Sequence, residues 1–162
     1  MKKNYYLIFP IILLILLIGC AGYEPIFNPT NLKFEIRDYT IQGDKISGKK
    51  IYSKLYNLSK SNKDKEKIRN IAILINITKQ KESTSKSSAG KILEYKITLS
   101  TDIKVTDFIT QDLLLNENAV YSQSYKVQDK IFETIKIENK SIDDLINKIY
   151  HDLLIKLSQS LQ

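Results

Sequence analysis

Leu93-Glu94-Tyr95-Lys96-Ile97-Thr98-Leu99-Ser100-Thr101-Asp102-Ile103-Lys104-Val105 alternates almost without fault between apolar and polar residues. Successive side chains of a strand point to opposite faces. Leu93, Tyr95, Ile97, Leu99, Ile103 and Val105 therefore share one face, and Glu94, Lys96, Thr98, Ser100, Asp102 and Lys104 the other. A strand this long with one wetted face belongs to an antiparallel sheet, because parallel sheets are covered on both sides.

Working outward, Ile68 to Thr78 is the most β-branched stretch, with Ile71, Ile73, Ile75 and Ile77 on one face. Ala72 and Leu74 make its other side partly apolar, which predicts a central strand covered on both faces. Between the two strands, Lys79 to Lys91 is rich in Lys and Ser, contains Gly90 and reads as a long hairpin tip. Lys33 to Ile41 predicts a first strand, with Phe34, Ile36 and Thr40 opposite Glu35, Arg37 and Tyr39, ended by Gly43. Asp44 or Ser47 can then cap a helix carrying Ile51, Leu55 and Leu58, with Gly48 weakening its first turn. Ser59 to Lys67 is expected to be an exposed connection.

Downstream, Asp107 to Asn118 reads as a connection holding the apolar run Leu113-Leu114-Leu115. A last strand follows over Ala119 to Val127, with Tyr121 and Tyr125 on one face and Val120 and Ser122 on the other. A long helix then starts at Phe132 or Ser141 and ends at Leu161. Its stripe is Ile142, Leu145, Ile146, Ile149, Leu153 and Leu157, with Asp143, Asp144, Lys148, Asp152 and Lys156 away from it. Ser141 followed by Asp144 resembles a capping box, which predicts a break near Asn139. The expected fold is α+β: two helices packed on a four-stranded, largely antiparallel sheet, one domain over residues 32–162.

The N-terminus has a different character. Basic Lys2 and Lys3, an apolar run to Leu17-Ile18-Gly19, then Cys20, the only cysteine, make a bacterial lipoprotein signal sequence. The run from Tyr5 to Ile18 is too short to cross ~30 Å of hydrocarbon, and Pro10 interrupts it. Residues 1–19 are thus expected to be cleaved, Cys20 to carry the lipid (palmitate included), and residues 20–31, with Pro25 and Pro29, to form an acylated tether. The mature chain would hold 143 residues, 162 less 19, and 23 basic against 18 acidic ones once Lys2 and Lys3 are removed. A net charge near +5 in an exported protein favours anionic surfaces and phosphates. Nucleic acid is not an expected partner in that compartment.

Catalytic chemistry is sparse. His151 is the only histidine, and no glycine-rich phosphate loop follows a strand. No spacing of His and Cys suits a metal. Neither an enzyme, a metal nor a cofactor is expected. Binding character resides in Lys79, Lys81, Lys86 and Lys91, which flank a Ser/Thr segment and could grip phosphates as mobile point charges. The plainer alternative is a solvated loop.

In this order of elements the chain resembles the lipopolysaccharide-assembly lipoprotein family LptE. The residues carrying the resemblance are Leu17-Ile18-Gly19-Cys20 followed by Gly22-Tyr23-Glu24-Pro25-Ile26-Phe27. Near the C-terminus, Tyr125-Lys126-Val127 leads into Phe132-Glu133-Thr134-Ile135 and Glu138, then the helix from Ile142 to Leu161. The family's usual arginines are mostly lysine here. The resemblance implies a partner, the outer-membrane β-barrel LptD, within which family members sit as a plug and help deliver lipopolysaccharide. With lipopolysaccharide as the family's cargo, Lys79, Lys81, Lys86 and Lys91 are its candidate contacts by charge and place, although the hairpin that carries them does not align with the family. Ala21 after Cys20 implies sorting to the outer membrane, on its periplasmic face, and acylation anchors firmly because each buried methylene adds ~0.8 kcal/mol. The alternatives are an auxiliary lipid- or solute-transport lipoprotein of another envelope complex, and a periplasmic enzyme using Tyr or carboxylate chemistry.

Overall fold

Strand propensity and one-sided burial account for the sheet. The computed structural model describes residues 32–61 and 68–161; the expected signal peptide and tether, Cys20 included, lie outside the described residues. The chain runs β1 (Phe34–Gly43), α1 (Lys45–Ser61), β2 (Arg69–Lys86), β3 (Ile92–Asp107), β4 (Leu113–Lys126) and α2 (Ile131–Ser160). The strands sit side by side in chain order. The β2–β3 and β3–β4 pairs are antiparallel, whereas β1 and β2 run parallel. Parallel neighbours need a crossover to return the chain, and α1 is that crossover. The fold is α+β as expected, with a mixed sheet.

Ile71, Ile73, Ile75 and Ile77 are all buried. Across the register, Ile73 meets Val105 and Ile75 meets Ile103. Onto this face α1 lowers Ile51 and Leu55, and α2 lowers Leu145, Ile146, Ile149, Leu153 and Leu157 of the predicted stripe, with Leu154, while Ile142 of that stripe is half-buried. Both helices share this face, so among the described residues helices cover β2 on one side only. Its other row, Ala72 and Leu74, is half-buried with no helix above it among the described residues. The expectation of double cover fails because strand length and β-branching are set by the neighbours in the sheet, not by a second layer.

The first strand departs further. Ile36 pairs with Ile71 but Asp38 pairs with Ala72, so Arg37 is an extra residue. One inserted residue turns over every side chain beyond it. Thr40, expected beside Phe34 and Ile36, faces away with Leu74, while Tyr39 and Ile41 turn toward the helices. Tyr39 then stacks on Tyr52 with ring centroids 3.9 Å apart.

Asp44, not Ser47, caps α1: its Oδ1 accepts from the backbone N–H of Ile46 at 3.1 Å and of Ser47 at 3.2 Å. Gly48 sits where a Cβ would lie 2.5 Å from Ile41 Cγ2, so its missing side chain lets helix and strand touch. Ser59, expected in an exposed connection, is buried in the last turn of α1 and donates to Tyr56 O at 2.8 Å. Residues 62–67 of that connection lie outside the described residues.

Three further boundaries move. β2 continues to Lys86, so the hairpin tip shrinks to residues 87–91, closed by Ser87 N–H on Lys91 O at 2.8 Å. Leu113-Leu114-Leu115 opens β4 instead of lying in a connection, and Leu114 and Leu115 pack against the core. α2 is one unbroken helix of 30 residues. Ser141 is buried mid-helix among the stripe residues and caps nothing. A small residue there permits close packing; the break near Asn139 does not occur.

Candidate functional site

The four predicted lysines do not form one site. β2 keeps its two-residue period past the isoleucines, so Lys79 and Lys81 follow Ile77 on the helix-facing side. There they meet acids from both helical connections. Lys79 Nζ lies 2.9 Å from Asp44 Oδ2, and Lys81 Nζ lies 2.6 Å from Glu138 Oε2 on α2. The Tyr125 hydroxyl donates to the same Glu138 oxygen at 2.7 Å. Lys81 also sits 4.3 Å from the Tyr95 ring centroid and 5.8 Å from that of Tyr125.

Electrostatics follow the contacts. Burial by itself disfavours the Lys81 ammonium, but its bonds to Glu138 and Tyr125 outweigh this and hold it above the usual lysine range. Burial likewise opposes the Glu138 carboxylate, and Lys81 with Tyr125 more than offsets it, leaving Glu138 more acidic than an ordinary glutamate. Asp44 is lowered in the same manner, against burial, by Lys79 and the Ser47 N–H. Lys79 and Lys81 therefore bridge the sheet to acids on the helical side through paired, partly exposed ammonium groups.

Lys86 and Lys91 are different. They stand at the tip, exposed, with no ion pair among the described residues. From Lys81 to Lys86 the strand advances roughly 17 Å. Other groups gather at this end. Lys126 follows from the β4 register opposite Glu94, and Lys130, paired with Glu133 at 3.5 Å, and Lys136 stand exposed at the start of α2. Between these cations the large apolar side chains Leu93, Ile131, Phe132 and Ile135 are exposed, Ile131 by 80% and Phe132 by 76%. Ile131 and Ile135 continue the helical phase of the buried stripe one and two turns beyond the point where the sheet supports it. That overhang is the signal sequence reading could have used: apolar residues in phase with a core stripe but preceding it. Thr134 ties the helix entry down by accepting from Gln128 N–H at 2.8 Å.

The remaining polar contacts pin β4 to α2. Lys156 Nζ lies 2.5 Å from Glu117 Oε2, and the Tyr121 hydroxyl donates to Asp152. The Asp152 carboxylate, helped by burial, pushes the Tyr121 phenol up to about 12. Asp152 and Lys156, read as facing away from the core, thus serve it as tethers at its rim. His151 is exposed and its ring lies 5.9 Å from that of Tyr150. Among the described residues no three His, Cys, Asp or Glu side chains cluster in a way that could hold a metal ion, and no helix is long and apolar enough to cross a membrane.

No protein-family model matches the chain, and no curated protein matches its sequence. Solved structures do match its shape. An uncharacterized lipoprotein B from Nitrosomonas europaea superposes with a TM-score of 0.56 at 16% identity, covering 86% of this chain and 95% of that one. A minor lipoprotein from Acinetobacter baumannii superposes with a TM-score of 0.51 at 11% identity, covering 76% of this chain and 92% of that one. At such identities the likeness is one of fold.

Proposed function

We propose that this chain is an acylated envelope lipoprotein of the LptE type, a non-enzymatic subunit that works beside an LptD-like β-barrel and handles lipopolysaccharide at the outer membrane. The fold it shares with proteins described as bacterial lipoproteins supports the first part, together with the signal sequence ending at Cys20. The observation that carries the ligand is the hairpin end: unpaired Lys86 and Lys91 beside exposed Leu93, Ile131, Phe132 and Ile135. Phosphorylated, multiply acylated glycolipid offers the complement of that surface, anionic groups next to apolar chains. Lysine suits such a target as a point charge on a flexible stem.

Purifying the acylated protein in mild detergent tests both halves. Co-purification of a large barrel and of lipopolysaccharide is expected, with the lipid lost when Lys86 and Lys91 are changed to Glu. A preparation carrying only phospholipid, or a monomer without any barrel, would overturn the proposal.

A further inference from the structure

The opposite end of the sheet carries a second exposed apolar feature, in the loop from β3 to β4. Phe108 is 43% exposed and Ile109 75%, and Leu113, the first residue of β4, is 60% exposed. This loop is held firmly. Asp107 Oδ1 accepts from the N–H of Ile109 at 2.9 Å and of Thr110 at 3.1 Å, while its Oδ2 takes Arg69 Nε at 3.1 Å. Phe108 N–H donates to Asn70 O at 3.0 Å, and Gln111, at φ 62, returns its side-chain amide to Phe108 O at 2.9 Å. Two large apolar side chains are thus displayed to solvent by a loop whose backbone is tied to β2, at the expense of a left-handed residue.

Charge at this end is largely balanced. Arg69 pairs with Asp107, Lys60 and Arg37 with Glu35, and Lys156 with Glu117. Asp112 has its carboxylate engaged by the Thr110 hydroxyl at 2.7 Å. The hairpin end pairs Lys96 with Glu82 and Lys130 with Glu133 and leaves Lys86 and Lys91 without an ion pair among the described residues.

The chain's own connectivity selects the occupant. Leu32 is buried and leads into Phe34, which pairs with Arg69, the residue that grips Asp107. Cys20 lies twelve residues before Leu32, a span of at most about 40 Å when extended. We infer that Phe108 and Ile109 seat in the interfacial region of the phospholipid bilayer to which Cys20 is anchored, so that the domain touches the membrane at two points, the acyl chains and this loop. Two weak attachments on one body reinforce each other, because the first holds the second at high effective concentration. They also orient the body, with the lysine-rich hairpin end turned away from that bilayer surface. The inference rests on the acylated-lipoprotein reading.

The full acylated chain, reconstituted in vesicles of phosphatidylethanolamine and phosphatidylglycerol, provides the test. Ile109→Cys carries a nitroxide label, and Ser88→Cys at the hairpin tip is the control. Both positions are exposed, so neither change touches the core, and a thermal melt checks this. One label per chain, with position 109 several-fold more accessible to oxygen than to a water-soluble nickel chelate and position 88 the reverse, is the expected result. One label with position 109 as open to the chelate as position 88 overturns the seating while leaving the lipoprotein reading intact. Two labels per chain by mass spectrometry reveal an unacylated Cys20 and bring down the lipoprotein reading and this inference together. Protection of position 109 that arises only on adding a barrel protein also overturns it, in favour of a protein contact.

Discussion

The base and the tip of the β2–β3 hairpin are built from similar residues and do opposite things. At the base, Lys79 and Lys81 lie on the helix-facing side, still 38% exposed, and pair with Asp44 and Glu138. At the tip, Lys86 and Lys91 are exposed and unpaired among the described residues. Two glycines, one at the end of β1 beside Ile77 and one in the hairpin tip, repeat the contrast. Gly43 at φ 77 would place a Cβ 2.1 Å from Ile77 O, whereas Gly90 at φ 79 has nothing within 4 Å. A residue's role on this strand is decided by how far the helical layer reaches, not by its type or its neighbours in sequence.

Substitutions can break or sharpen this contrast. The largest effect is expected for Gly43→Ala, which combines left-handed strain with a clash against backbone and should cost more than ~2 kcal/mol in denaturant unfolding. Next comes Lys81→Glu, which sets two carboxylates together and leaves Tyr125 and Glu138 without their cation, for about 1–2 kcal/mol. A melting temperature equal to the parent's would show that the base is as loose as the tip.

Protons probe the same brace. Glu138 is held below its ordinary 4.5 in the fold, so its contribution is complete above that value and is lost as pH falls through the lower folded value. The stability difference between the parent and Lys81→Met should therefore shrink in acid below 4.5. A gap that stays constant would remove Glu138 from the account. Asp107, lowered by the N–H groups of Thr110 and Ile109 and by Arg69, obeys the same sign, and its loop amides should lose protection, relative to the free-chain exchange rate at the same pH, as pH falls below 3.8.

Smaller effects belong to the tip. Gly90→Ala should cost about 1 kcal/mol, from strain alone. Lys86→Glu with Lys91→Glu should shift stability by no more than about 0.5 kcal/mol, since these side chains touch nothing the fold needs. Any loss of lipopolysaccharide in the purified double variant then reports binding. Changing all four lysines at once would mix the two kinds of effect.

Much of the fold was legible because it rests on local periodicity. The isoleucines of β2, the alternation of β3 and the stripe of α2 each carry their face in their own spacing; they are buried where the layers overlap, while Leu93 at the hairpin end is exposed and Ile142 is half-buried. Boundaries were less legible. β2 outruns its apolar run because β3 continues to supply backbone partners, and Leu113-Leu114-Leu115 becomes strand because Val105 and Thr106 stand opposite. Ser141 looked like a cap by its neighbours, yet it is a packing residue on a helix stabilised by tertiary burial.

Sequence by itself determined the order of elements, the faces of the central strands and the polar character of the hairpin, because these depend on residues close together in the chain. Only tertiary structure decided the flip of β1 at Arg37, the placing of both helices on one face, and the division of the lysines into braces and free charges. Each of those turns on which distant group lies opposite: Ala72 against Asp38, Glu138 against Lys81, open water beyond Lys86. Pairing across a fold is a long-range property, and a local pattern carries no record of it.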